Sequence, residues 1–305
     1  MTAKVHLGRA HALALLRDVM RIRESEAACA GQYQAPPPED CVVATYREHG
    51  EAIARGIPMR PLMAEMFGRL PGCSRGRGGS MHVFDRAARV HPGNAMVGGG
   101  LPLAVGIALA DRVQGRAAVT ACFFGEGAAD EGVFHESLNL TRLRRLPVLF
   151  VCENNRYCRG TRVEVAEADA EIWRKAAGCR MHGERADGMD VVAVEVPARG
   201  ALERIRAGEG PVLLECATTA SARIPRSTRS SIAARPRSEA WRQRGPILRF
   251  RKWLQENGSS HAGEGDAMAA EIRAEVADAV AFAAAAPRED ITDRARFVTM
   301  GEVTA

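Results

Sequence analysis

Residues 117–161 read AAVTACFFGEGAADEGVFHESLNLTRLRRLPVLFVCENNRYCRGT. The strand formers Val119 to Phe124 stop at Gly125-Glu126-Gly127, and apolar residues at helical spacing (Val133, Phe134, Leu138, Leu140) then lead to Leu146-Pro147. A second apolar run, Val148 to Cys152, ends at Glu153-Asn154-Asn155. Strand, turn, helix and strand in that order predict a right-handed crossover whose two strands finish at the same edge of a parallel sheet. Sheets of this kind bind ligands beyond the carboxyl ends of their strands. Glycines flanking a carboxylate let the backbone approach a phosphate, while the carboxylate and an Asn carbonyl oxygen can hold a hard cation. The stretch therefore points to a diphosphate bound with Mg²⁺.

The same alternation continues on both sides. Val42 to His49 reads as a short strand ending in polar residues, 58–70 and Leu101 to Ala110 as helices, and Ala166 to Ala177 as a further helix. Residues 186–196 read as a turn and strand, 201–208 as a helix and 210–219 as another strand. This order predicts an α/β fold, a doubly wound and mostly parallel sheet with helices on both faces. Residues 1–40 form an N-terminal helix (6–30, with Leu13, Leu16, Met20 and Ala27 at helical spacing) and a connector stiffened by Pro36 to Pro38. Residues 41–260 make up the ligand-binding domain, and 261–305 an alanine-rich helix over 265–285 and a tail.

At 305 residues with 46% hydrophobic content, the chain can bury a sizeable core. A formal net charge of +5, with much of the excess arginine in one segment, makes no case for nucleic acid. The eight cysteines show no CxxC spacing and several lie in apolar strand-like runs, which fits reduced thiols and a cytoplasmic protein. The apolar stretch Ala12 to Leu16 is cut short by Arg17-Asp18, and 18 uncharged apolar residues nowhere follow one another. Neither a signal peptide nor a membrane span is expected. The glycine-rich Gly72 to His82 has no Walker lysine followed by Ser or Thr and reads as a structural turn.

The central motif resembles the thiamine diphosphate signature, Gly-Asp-Gly, helix, strand and Asn-Asn, and ENNRYCRGT resembles the α subunits of the E1 component of 2-oxo acid dehydrogenases, pyruvate dehydrogenase especially. The resemblance implies thiamine diphosphate and Mg²⁺, with Glu126, Asn155 and the Tyr157 carbonyl as metal ligands and Gly125, Gly127 and Ala128 beside the cofactor. Tyr46 and Arg47 match the pair that hydrogen-bonds the diphosphate, a use suited to the guanidinium fork, and His49 matches a catalytic histidine near the thiazolium. Ala95 and Val97 match backbone contacts to the aminopyrimidine. It also implies a β subunit that supplies the activating glutamate in an α₂β₂ assembly, and a lipoyl or acyl-carrier protein as acceptor.

Three departures stand out. Glu126 replaces the family's Asp, the connector before residue 41 is short, and 220–237 carries five arginines instead of the family's Arg and His-Ser, whose sites fall near Ala220, Ile224 and Pro225. The principal reading is decarboxylation of a pyruvate-like 2-oxo acid with acyl transfer. The shortened connector and arginine-rich loop open a second, transketolase-like transfer of two carbons from a ketose phosphate, and Glu126 with the altered loop opens a third, a non-catalytic scaffold for a β partner.

Overall fold

The computed structural model describes residues 7–25, 39–158, 160–218, 245–261 and 263–296. The arginine-rich segment 220–237, most of the proline connector and the chain's tail lie outside these residues. Six strands, β1 (Cys41–Thr45), β2 (Val90–Asn94), β3 (Thr120–Gly125), β4 (Val148–Asn154), β7 (His182–Asp187) and β8 (Val212–Ala217), form one sheet of order β2-β1-β3-β4-β8-β7. Every neighbouring pair is parallel. A two-residue hairpin of β5 (Tyr157–Cys158) and β6 (Thr161–Arg162) stands apart.

Side chains alternate across the sheet with period two. Cys122 and Phe124 of β3 with Phe150 and Cys152 of β4 face helices α4 (Gly100–Val113) and α5 (Gly132–Arg144); Ala121, Phe123, Leu149 and Val151 face α7 (Val191–Arg206). A sheet covered on both faces needs strands apolar on both faces, which is why β3 and β4 read as unbroken apolar runs. On the flank, α1 (Arg9–Ser25) shares a core with α8 (Pro246–Glu256) and α9 (Glu264–Ala285). Ala279 and Ala283 of α9 pack with Ile53 of α2 (His49–Ala54) and Leu62 of α3 (Met59–Met66).

Four expected elements differ. The run DVVAVEV opens helix α7, because the Asp190 carboxylate accepts from Val192 N at 3.0 Å and Ala193 N at 3.1 Å and so starts a helix that the β-branched residues would not select. The helix expected at 201–208 is the second half of α7. The helix expected over Ala166 to Ala177 is a short α6 (Val163–Ala166) followed by a 3₁₀ segment, Ile172–Cys179, and strand β1 stops at Thr45 so that His49 opens α2.

β1 is followed by β2 on one side, whereas β3 is followed by β4 on the other, so the crevice between the carboxyl ends of β1 and β3 is a topological switch point. The glycine-rich segment nearby is structural, as expected. Glu65, fully buried in α3, accepts from the backbone N–H groups of Ser74 (2.7 Å), Gly76 (2.8 Å), Gly78 (2.7 Å) and Gly79 (3.2 Å). Charged acceptors give the stronger hydrogen bonds, and here one carboxylate satisfies a whole loop. Glu65→Ala should cost on the order of 3 kcal/mol, because buried donors lose their acceptor. Denaturant unfolding would measure the loss, and trypsin should cut the variant after Arg75 or Arg77 before it cuts the wild type.

Candidate cofactor and metal site

Four strand ends set out the site. In the register of β3 and β4, Gly125 pairs with Glu153, and the first residues beyond the two strands, Glu126 after β3 and Asn155 after β4, meet at this edge. Glu126 opens a 3₁₀ turn (Glu126–Asp130) and is buried, and its Oε2 accepts from Asn155 N at 3.2 Å. Its Oε1 is buried with no hydrogen-bond partner. Burial pushes the Glu126 carboxyl above its ordinary range, against the pull of backbone N–H groups, those of Asn155 and Tyr157 among them, and of Arg47.

The two asparagines divide the work. Asn154 is buried and structural: its amide donates to Glu215 Oε1 at 2.7 Å and to Ala170 O at 3.3 Å, while its Oδ1 accepts from Arg156 N at 3.0 Å. Asn155 is half-buried, and its Oδ1 accepts from Tyr157 N at 3.1 Å, a tight turn in which Arg156 takes φ 70°. Tyr157 thus begins its hairpin beside Asn155. A Cβ at Gly127 would lie 2.8 Å from the Cβ of Cys158, so this glycine admits the hairpin against the 3₁₀ turn.

The residues fit a magnesium ion shared with phosphate. One buried carboxylate oxygen stands unsatisfied, with an amide side chain and a hairpin backbone beside it, and Mg²⁺ takes one or two carboxylates with the remaining positions filled by phosphate oxygens and water. Among the described residues no three His, Cys, Asp or Glu side chains cluster into a cage of their own.

The β1 end supplies a cation. Arg47 lies 5.6 Å over the Tyr46 ring, its backbone N–H donates to Thr45 Oγ1 at 3.2 Å, and its Nη2 donates to Glu153 Oε2 at 3.3 Å. His49 is buried, with Nε2 3.5 Å from Ser80 Oγ. Ala95 and Val97 sit on the exposed loop after β2, where Asn94 Oδ1 accepts from Met96 N at 2.9 Å. The β1 and β2 ends are joined by Glu48, whose carboxylate accepts from Val83 N and Gly93 N.

Sequence reasoning did not single out the four glutamates that organise this region. Glu48 and Glu65 hold loops. Glu51 is buried in α2 with Oε2 unpartnered; burial, reinforced by Glu153, pushes it well above the ordinary carboxylate range. Glu153 holds Arg47. Two signals were available: an acidic residue between apolar neighbours in MAEMFG, and a Glu directly before the Asn pair.

A parallel α/β sheet whose switch point gathers a buried carboxylate, an amide side chain and an arginine has the groups that a phosphate and a hard cation require. The family model of the dehydrogenase E1 component matches residues 18–292, and the chain belongs to that family. It is 35% identical to the pyruvate dehydrogenase E1 component subunit alpha of Porphyra purpurea, over 90% of this chain and 81% of that protein. It is likewise 35% identical to the protein of the same name in Rhizobium meliloti (strain 1021), over 88% of this chain and 77% of that one. With the chloroplastic alpha-3 subunit of Oryza sativa subsp. japonica the identity is 37%, over 81% of this chain and 60% of that protein.

Glu48 yields a test of the loop junction. Burial pushes it up from 4.5 to about 7, against the two backbone N–H groups and the nearby His49 and His82. A carboxyl whose folded value is raised stabilises fully below its unfolded value, and that contribution is lost as pH rises through the folded value. Between pH 4.5 and 7 the wild type should therefore lose up to about 3 kcal/mol relative to Glu48→Gln. Urea unfolding of both proteins across that window checks it, and a constant difference would contradict it.

Proposed function

We propose that this chain is the diphosphate-binding subunit of a two-component thiamine diphosphate enzyme that decarboxylates a pyruvate-like 2-oxo acid and passes the acyl unit to a lipoyl or acyl-carrier protein. The observation that carries the cofactor reading is the buried, unpartnered Oε1 of Glu126 beside Asn155 at the switch point. Its counterpart is the membership of the E1 component family. Glu126, Asn155 and the Tyr157 carbonyl hold Mg²⁺; Arg47 and Tyr46 hold outer phosphate oxygens; Gly125, Gly127 and Ala128 line the diphosphate. Ala95 and Val97 offer backbone groups to the aminopyrimidine, and His49 holds a proton near the reacting carbon. When bound, thiamine diphosphate supplies the carbanion chemistry that the side chains lack.

The partner reading rests on an apolar surface. Helix α4 starts three residues after Val97 and exposes Leu103, Leu109 and Val113, and its neighbour α5 exposes Leu140 and Leu143. Exposed apolar faces of this kind mark protein contacts. Met96 and Val97, just before this helix, are exposed as well, so we assign the face to the β subunit that brings the activating glutamate, in an α₂β₂ assembly. Among the described residues Cys41, Cys73, Cys122, Cys152, Cys179 and Cys216 are free thiols, which fits a reducing compartment such as the cytoplasm. No helix among those residues is long and apolar enough to cross a membrane.

Calorimetric titration of the complex with thiamine diphosphate should show binding that requires Mg²⁺. Glu126→Ala should lose that requirement together with tight retention, and unchanged retention would remove Glu126 from the metal site. A scaffold would bind nothing, and loaded complex that forms an aldose from a ketose phosphate without releasing CO₂ from pyruvate would establish the transketolase-like reading instead. For the surface, Leu109→Arg with Val113→Asp should prevent co-purification of the partner while leaving the melting temperature of the isolated chain within a few degrees.

A further inference from the structure

We infer that Glu153 is the positioning residue of Arg47, holding the guanidinium across the ends of β3 and β4 where the diphosphate docks. The inference rests on the cofactor reading above. Arg47 leaves the sheet two residues after the end of β1, whose neighbour is β3, and its Nη2 meets Glu153 of β4, one strand further on. To get there the side chain crosses the end of β3 at Gly125, the residue paired in register with Glu153. A Cβ on Gly125 would lie 3.7 Å from Nη2, so the guanidinium passes at van der Waals distance over the strand end.

The contact matters because of what arginine otherwise does. A long side chain with 43% of its surface exposed has many rotamers, and a ligand that must order it loses affinity. Glu153 can remove that freedom beforehand: only 15% of its side chain is exposed, and it stands on a strand end, not on a loop. The Tyr46 ring and Thr45 Oγ1 restrain the stem and backbone from the other side. Three strand ends thereby set one guanidinium plane, and a guanidinium gains its advantage over an ammonium from its plane.

Glu153 lies two residues before Asn155, so a role as a metal ligand is the alternative to exclude. The test uses the full chain complexed with its partner subunit, titrated calorimetrically with thiamine diphosphate and with thiamine monophosphate at saturating Mg²⁺. Glu153→Gln should weaken thiamine diphosphate about tenfold and narrow its advantage over the monophosphate, while the melting temperature stays within a few degrees. In an Arg47→Lys background the same substitution should change affinity less than about twofold, since the group it positions is gone. Wild-type affinity in Glu153→Gln, an undiminished loss in the Arg47→Lys background, or a loss repaired by raising Mg²⁺ would each overturn the inference while leaving the cofactor reading intact. A wild-type complex that takes up no thiamine diphosphate would instead overturn that reading, and this inference with it.

Discussion

A carboxylate oxygen buried without a hydrogen-bond partner is costly, and Glu126 Oε1 is one, at the point where the sheet's connections diverge. Desolvation alone would drive the group to take up a proton, and the Asn155 backbone, the hairpin at Tyr157 and the charge of Arg47 oppose that. The register of β3 with β4 fixes which residues can do so: with Gly125 opposite Glu153, the first residue beyond β3 must meet the chain leaving β4. A one-residue slip would turn every apolar side chain of β4 to the wrong face, so the packing of Phe150 and Cys152 on one side and Leu149 and Val151 on the other also holds the site in place.

The remaining loops at this edge are held by the same device. Parallel strands end without a hairpin to satisfy their neighbours, so backbone N–H groups in the connecting loops need acceptors. Glu48 serves Val83 and Gly93, Glu65 serves four residues of the glycine-rich segment, and Glu215 serves Trp173 N at 2.9 Å while accepting from Asn154. Burial raises the proton affinity of Glu48 and Glu215 against the donors that converge on them. Glu48 sits near that balance and Glu126 is pushed in the same direction.

How far the sequence could be read follows from the range of these interactions. β3, β4 and the turns after them were legible because period-two burial and strand-ending glycines are local signals. The pairing of Glu126 with Asn155 was legible because one crossover separates them. Helix α7 was misread because Val191, Val192, Val194 and Val196 favour a strand, and only Asp190, acting as a cap, reverses that preference. Glu48 with Gly93 and Arg47 with Glu153 are separated by 45 and 106 residues, and no local pattern announces a contact over that distance. A packing constraint on Gly127 went unread for the same reason: its neighbour is Cys158, on a hairpin the sequence did not disclose.

The site is unequal in its two halves. At the ends of β1, β3 and β4 the chain supplies mutually restrained polar groups: a buried Glu126, a half-buried Asn155 and an exposed Arg47 hydrogen-bonded to Glu153. Toward the loop after β2 it presents Met96 and Val97 to solvent. A diphosphate and its cation need fixed charges at one end, whereas carbanion chemistry at the other end needs water excluded. As proposed, this chain meets the first requirement from its own strand ends. The second requires a surface laid over Met96, Val97 and the apolar face of α4, so the physical division between holding the cofactor and enclosing its reactive end coincides, on the proposed reading, with the division between two subunits.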